Sequence, residues 1–214
     1  MKTRPLTRRI ALSLSLAGLL ALPAGAAACS GTDVQPDPDS MTIGSHQDSV
    51  ICLLNEQRAQ HGLAPVSLNA ALSAAAQGHS TSMRWNSFFA HESVDGSAFS
   101  SRIVAAGYLN GVGSWEIGEN IGWGSSTLGT PQALVTAWMN SPHHRDNVLH
   151  PKFREIGIGS DWGSPSDPNL LPSLIVTTDF GVVTPATKSK AKAKKKKKKR
   201  RKQLKRLKRL NRLN

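Results

Sequence analysis

The chain has 214 residues and a formal net charge of +13, from 27 Lys and Arg against 14 Asp and Glu. Residues 188–214 hold 17 of the basic residues and no acid, the first nine hold four more, and the stretch between balances six basic residues against all 14 acids, a net −8. This distribution argues against a uniformly basic nucleic-acid-binding domain and describes an acidic domain, large enough to bury its own core, joined to a polycationic tail.

In chain order, Lys2, Arg4, Arg8 and Arg9 precede an apolar run from Ile10 to Leu22 and small residues from Pro23 to Ala28, the pattern of a signal peptide over 1–28. The apolar run falls short of the ~20 residues that a membrane-spanning helix needs. A linker over 29–46 is rich in Asp, Pro, Ser and Gly and carries Cys29; a domain over 47–183 and a basic tail over 184–214 follow. Two cysteines in an exported chain suggest a Cys29–Cys52 disulfide, which would stabilise by roughly 3 kcal/mol through loop closure. Cys29 also stands where a lipid-modified cysteine would stand, although Ala26-Ala27-Ala28 lacks the bulky apolar residue usual ahead of such a site.

Within the domain, apolar and polar positions predict a helix over 48–60, ended at Gly62. Val66–Leu68 reads as a short extended link. Asn69 is placed to cap a helix running to Trp85, with Leu72, Ala75, Ala76, His79 and Met83 on one face. A loop with Phe88, Phe89 and His91 follows, then a helix capped by Ser97 that ends near Ala106. Glu116–Trp123 is strand-like, Thr130-Pro131 opens a helix to Asn140, and 143–149 reads as a short helical turn. Glu155–Trp162 and Leu174–Phe180 read as paired strands. Helices first and an antiparallel sheet last make the class α+β.

After Lys188 the chain is a low-complexity charge run, including Lys195, Lys198, Arg200 and Arg201, expected to lack structure when alone. Leu204, Leu207, Leu210 and Leu213 then recur every third residue among Lys205, Arg206 and Arg209, so a helix there would carry a slanted apolar stripe on a basic surface. The expected partners are an anionic cell-wall polymer or an acidic membrane surface. Nucleic acid is disfavoured in vivo, because an exported protein meets the envelope first.

No Walker A loop, HExxH, GxSxG elbow, EF-hand loop or paired CxxC occurs. Separated histidines and Glu119, a carboxylate among apolar strand residues, are what remains. A buried carboxylate needs a partner, and a histidine is a natural one.

Several ordered motifs resemble the bacterial branch of the CAP superfamily (the SCP domain), which includes cysteine-rich secretory, venom-allergen and pathogenesis-related proteins. They are Leu54-Asn55-Glu56-Gln57-Arg58, Ala76-Gln77-Gly78-His79-Ser80, Phe88-Phe89-Ala90-His91, Arg102-Ile103, Gly118-Glu119-Asn120-Ile121, Trp138-Met139-Asn140-Ser141-Pro142, His144-Arg145, Phe153-Arg154-Glu155-Ile156-Gly157 and Asp179-Phe180-Gly181. The resemblance implies an α-β-α sandwich, an antiparallel sheet between helical layers, with a cleft lined by histidines and glutamates. Matched residue by residue, His91, Glu119 and His144 are the cleft residues; where animal members carry a second glutamate this chain has Asn140-Ser141. His79 is expected to be structural, and His143 is an extra imidazole beside His144.

The favoured function is an envelope-associated binding module whose cleft takes a lipid-like or peptide ligand against Phe88, Phe89, Trp123 and Trp138, with Ser141 and His143 nearby. The alternative is an extracellular hydrolase or protease with His91 or His144 as general base and Glu119 orienting it. In that case zinc or another divalent cation on His91 and His144 is the candidate cofactor, and Ser141, then Ser80, is the nearest candidate nucleophile. The reading leans away from an enzyme.

Overall fold

The computed structural model describes residues 29–186 together with Lys197, Lys198, Arg200 and Arg201. The expected signal peptide, the leucine stripe and the tail positions Lys195, Lys205, Arg206 and Arg209 lie outside the described residues. Lys198, Arg200 and Arg201 are exposed. No helix among the described residues is long and apolar enough to cross a membrane.

Helix α1 runs from Ile43 to Gln60, starting well before the predicted Asp48. Its first turn is fixed by Thr42, whose hydroxyl accepts from the Ser45 amide while the Ser45 side chain returns to the Thr42 amide. This closes a capping box with two hydroxyl residues rather than the commoner Ser/Thr with Glu/Gln, so the start is hidden in a linker-like composition. The two-residue strand β1 (Ser67–Leu68) leads to α2 (Ala70–Trp85), capped by Asn69 as expected. Helix α3 (Phe99–Ala105) has Ala98 at its N-cap and no side-chain cap. Ser97 instead belongs to the preceding turn, its amide donating to Asp95 Oδ1 at 2.9 Å. Strand β2 (Val112–Ser125), a short 3-10 turn, α4 (Pro131–Asn140), α5 (Pro142–Val148), β3 (Glu155–Trp162) and β4 (Ser173–Pro185) complete the domain.

The sheet order is β1-β3-β4-β2. The three long strands are antiparallel as expected; β1 joins β3 in parallel over two pairs and makes the sheet mixed. Strands β2 and β4 outrun their predicted limits because they pair almost end to end.

Alternation of side chains assigns each face of the sheet to one helical layer. Ile156, Ile158, Leu174, Val176 and Phe180 pack against α1, α4 and α5 through Val50, Leu54, Leu134, Trp138 and Val148. The opposite face carries α2 and α3 through Leu72, Ile103 and Met83. Helix α2 sits tightly on β3 because Gly157 and Gly159 face it. A Cβ at Gly157 would overlap the backbone of Leu72 and Ser73, and one at Gly159 that of Ala76 and Gln77.

The arm over 29–42 is fastened to the domain by the expected disulfide, Cys29–Cys52, with a Cα–Cα distance of 5.7 Å. Backbone bonds add to it: the Gln132 amide donates to Thr32 O at 2.9 Å. Beneath lies His46, fully buried, with Nε2 3.4 Å from Gly129 O and Nδ1 without a partner. Burial lowers its pKa from 6.5 to about 4. A folded pKa below the unfolded one means stability that is present above the unfolded value and is lost as pH falls through the folded one. Between about pH 7.5 and about pH 5, urea unfolding should therefore show a loss smaller by on the order of 2 kcal/mol in His46→Gln than in the wild type. An equal loss in the variant would assign the acid sensitivity elsewhere.

Candidate functional site

Glu119 projects from β2 on the face covered by α2 and α3, and its side chain is 1% exposed. Both of its oxygens accept from a nitrogen donor. His91 Nδ1 lies 2.8 Å from Oε1, and Arg102 Nη2 lies 2.5 Å from Oε2. Because Glu119 accepts there, the Nδ1 of His91 carries the hydrogen, and Nε2 is left free on a side chain that is 44% exposed. The hydrogen bond to Glu119 is the main reason the His91 pKa is raised, with burial opposing it. This arrangement orients one imidazole and leaves its outer nitrogen available as an acceptor or, when protonated, as a cation.

Arg102 also shapes the loop that delivers His91. Its Nη1 donates to His91 O at 3.0 Å and to Ser93 Oγ at 2.9 Å. The same loop turns at Gly96, whose φ of +79° is the left-handed region that glycine adopts freely.

His144 is half-buried on α5, and its pKa is lowered by that burial and then by the charges of His91 and His143. An amide pair brings α5 to β2. Asn120 Nδ2 donates to His144 O at 3.0 Å, and Asn147 Nδ2 donates to Asn120 Oδ1 at 2.8 Å and to Glu119 O at 3.0 Å. His143 is exposed. The buried His79 donates from Nε2 to Ala90 O at 2.8 Å and packs edge-on to Phe88, which fits its structural reading.

The expected aromatic lining divides. Phe88 is half-buried on Met83, Ile121 and Ile175. Phe89 and Trp123 are 43% and 42% exposed, and Trp123 is the cross-strand neighbour of Ile175. Trp138 is a core residue instead, 2% exposed, with its indole N–H donating to Ile121 O at 3.0 Å. Its place at the end of an amphipathic helix makes both positions credible from sequence. Ser141 sits between α4 and α5 without a side-chain capping bond, and Ser80 is buried, its hydroxyl bonded to Gly159 O and Thr177 Oγ1. Neither serine is hydrogen-bonded to a histidine among the described residues. A cavity of about 530 Å³ lies away from this site, under the arm and beside the disulfide, between Val34, Met41 and Asp48.

His91, Glu119 and His144 do not bring three ligand atoms within 4.8 Å of one another; the described group that does is Cys29, Cys52 and Glu56, whose sulfurs are spent in the disulfide. The residues present therefore do not fit a zinc site with three protein ligands.

Reading single residues does not find Arg102, Asn120, Asn147 or Asp179 as parts of the site. The available signals are slight: Arg102 is one of only six basic residues in the domain, and Asp179 is an acid within an apolar and threonine-rich strand.

A mixed sheet between two helical layers, with a histidine–glutamate pair at the edge strand, defines the class of protein. The chain belongs to the cysteine-rich secretory protein family, CAP, whose family model matches residues 52–167. It is 34% identical over 119 residues to the uncharacterized protein YkwD of Bacillus subtilis (strain 168), covering 55% of this chain and 43% of that protein. It is 30% identical over 115 residues to the uncharacterized membrane protein YlbC of the same organism, covering 54% and 31%. The chain thus spans less than half the length of these curated relatives. Among solved structures, an outer surface protein from Borrelia burgdorferi shares the fold, with a TM-score of 0.53 at 17% identity over 68% of this chain and 97% of that one.

Proposed function

We propose that this chain is an exported CAP-domain binding protein, held at the bacterial envelope by its basic tail, whose His91 site receives a lipid-like or peptide ligand. The observation that carries the reading is the free Nε2 of His91 on a Glu119-oriented ring, with exposed Phe89 two residues before it in the chain and exposed Trp123 on the same face of β2 as Glu119. An apolar body against the rings and a polar group at His91 would suit a ligand with one wet end. Export accords with the disulfide and with the outer-surface origin of the Borrelia structure. Hydrolysis is the second reading, favoured by the same pair, since an oriented imidazole can activate water.

Mass spectrometry of the full chain purified from its native envelope tests the first reading. A lipid or peptide should co-purify with it and be lost in Trp123→Ala and His91→Ala. Turnover of peptides or esters that vanishes in His91→Ala, with no retained ligand, would favour the second. In the same preparations, retention on the envelope should fall on the order of 10³-fold between about 50 and about 200 mM salt if some six tail charges are neutralised. A chain ending at Thr187 that is retained equally would remove the tail from the account.

A further inference from the structure

Asp179 lies directly opposite Glu119 in the β2–β4 pairing, and its carboxyl is fully buried. Neither of its oxygens accepts a hydrogen bond from any described donor. The polar group within hydrogen-bond reach is the Glu119 carboxylate, which is itself an acceptor and has its own oxygens on His91 and Arg102. Two carboxyl groups thus face each other around one permanent cation, Arg102.

No other described residue neutralises Asp179. Its other cross-strand neighbour is Gly157, which has no side chain and lets α2 close over the sheet. On the next pair, Tyr108 covers Gly181 and directs its hydroxyl to Glu155 Oε2 at 2.8 Å, away from Asp179. The charged or titratable groups around the pair are His79 from α2, Arg102 from α3 and His91 from the loop. His79 bonds Ala90 O, His91 bonds Glu119, and Arg102 bonds Glu119, His91 O and Ser93. An isolated buried carboxylate costs many kcal/mol, and two acceptors in contact repel unless a proton lies between them.

We propose that Asp179 is a neutral carboxylic acid at physiological pH that donates its proton to the Glu119 carboxylate, and that it is a positioning residue for the His91–Glu119–Arg102 site. Its proton gives the Asp179 hydroxyl an acceptor and holds Glu119 in the plane that meets both His91 and Arg102. It also leaves one negative charge, not two, to bear on His91. The direction of the Asp179 pKa agrees: burial raises it well above the ordinary carboxylate range, and Glu119 raises it further while Arg102 opposes. The proton would sit there whichever ligand the site takes, so its test uses none, and its failure would leave the ligand reading standing.

The test is carboxyl-carbon and histidine-ring NMR on the full chain across pH. In the wild type, the Asp179 carboxyl carbon should keep its protonated position from about pH 5 to about pH 7, where an ordinary Asp has ionised. Asp179→Asn replaces a neutral donor by a neutral donor, so it should change the His91 proton affinity by less than about two-fold, whereas Glu119→Gln should lower it about ten-fold or more. A role confined to packing would leave the Asp179 carbon free to titrate. A carbon already ionised at about pH 6, or an Asp179→Asn effect on His91 as large as that of Glu119→Gln, would overturn the proposal. If Asp179→Asn does not fold, the wild-type carboxyl carbon alone decides.

Discussion

Glu119→Ala is expected to lower folding stability by about 3–5 kcal/mol, the cost of leaving one partner of a buried ion pair uncompensated. The stranded partner is Arg102, whose side chain is 14% exposed and whose Nε has no hydrogen-bond partner. Asp179 is the acid placed to take over part of that role by ionising. The single variant should therefore fall near the lower end of the range, and Glu119→Ala with Asp179→Asn near the upper end, as measured by urea unfolding at neutral pH. Equal losses would mean that Asp179 gives Arg102 no relief. The pH profile supplies a second check. The raised His91 pKa contributes stability that is fully present below the unfolded value and is lost as pH rises through the folded one. That slope should disappear in Glu119→Ala, because its first cause is the hydrogen bond that the variant lacks.

Arg58→Ala is expected to cost at least about 4 kcal/mol and to threaten folding altogether, because several buried carbonyls lose their donor at once. Arg58 is fully buried on α1. Its Nε donates to Ala64 O at 2.8 Å, Nη1 to Val148 O at 2.7 Å and to His150 O at 3.1 Å, and Nη2 to Phe153 O at 3.0 Å. One guanidinium thus joins the end of α1 and the link that follows it to the end of α5 and the approach to β3. Arg58→Lys should recover only part of the loss, since an ammonium lacks the planar fork that reaches these carbonyls together. Thermal unfolding of both variants distinguishes the cases. Full stability in Arg58→Lys would show that charge, not donor geometry, is what the carbonyls require.

The site was partly legible in the sequence, and the legible part has a common character. His91, Glu119 and His144 stand out because ionisable residues among apolar or loop neighbours demand partners. The partners themselves do not stand out. Arg102 meets Glu119 only because α3 folds back over the edge strand, and Asn120 meets Asn147 only because α5 packs beside β2. Trp138 shows the opposite failure, since an aromatic residue beside a site motif proves to be core whose N–H binds a strand carbonyl. The helix start at Thr42 was hidden because two hydroxyl residues perform a capping role usually announced by an acid or amide.

By itself the sequence determined the separation of acidic from basic charge along the chain, the α+β class and the type and order of the principal elements, while the Cys29–Cys52 pairing, one of two uses open to Cys29, was settled by the structure. Charge, class and element order follow from local composition, capping and hydrophobic period, which act over a few residues at a time. Only the tertiary structure decided which groups share a proton or a charge. Asp179 sits 60 positions from Glu119 in the chain, and strand register alone makes them neighbours. A carboxyl group's ionisation depends on what surrounds it in space, and register and burial are long-range outcomes that no short stretch of sequence encodes.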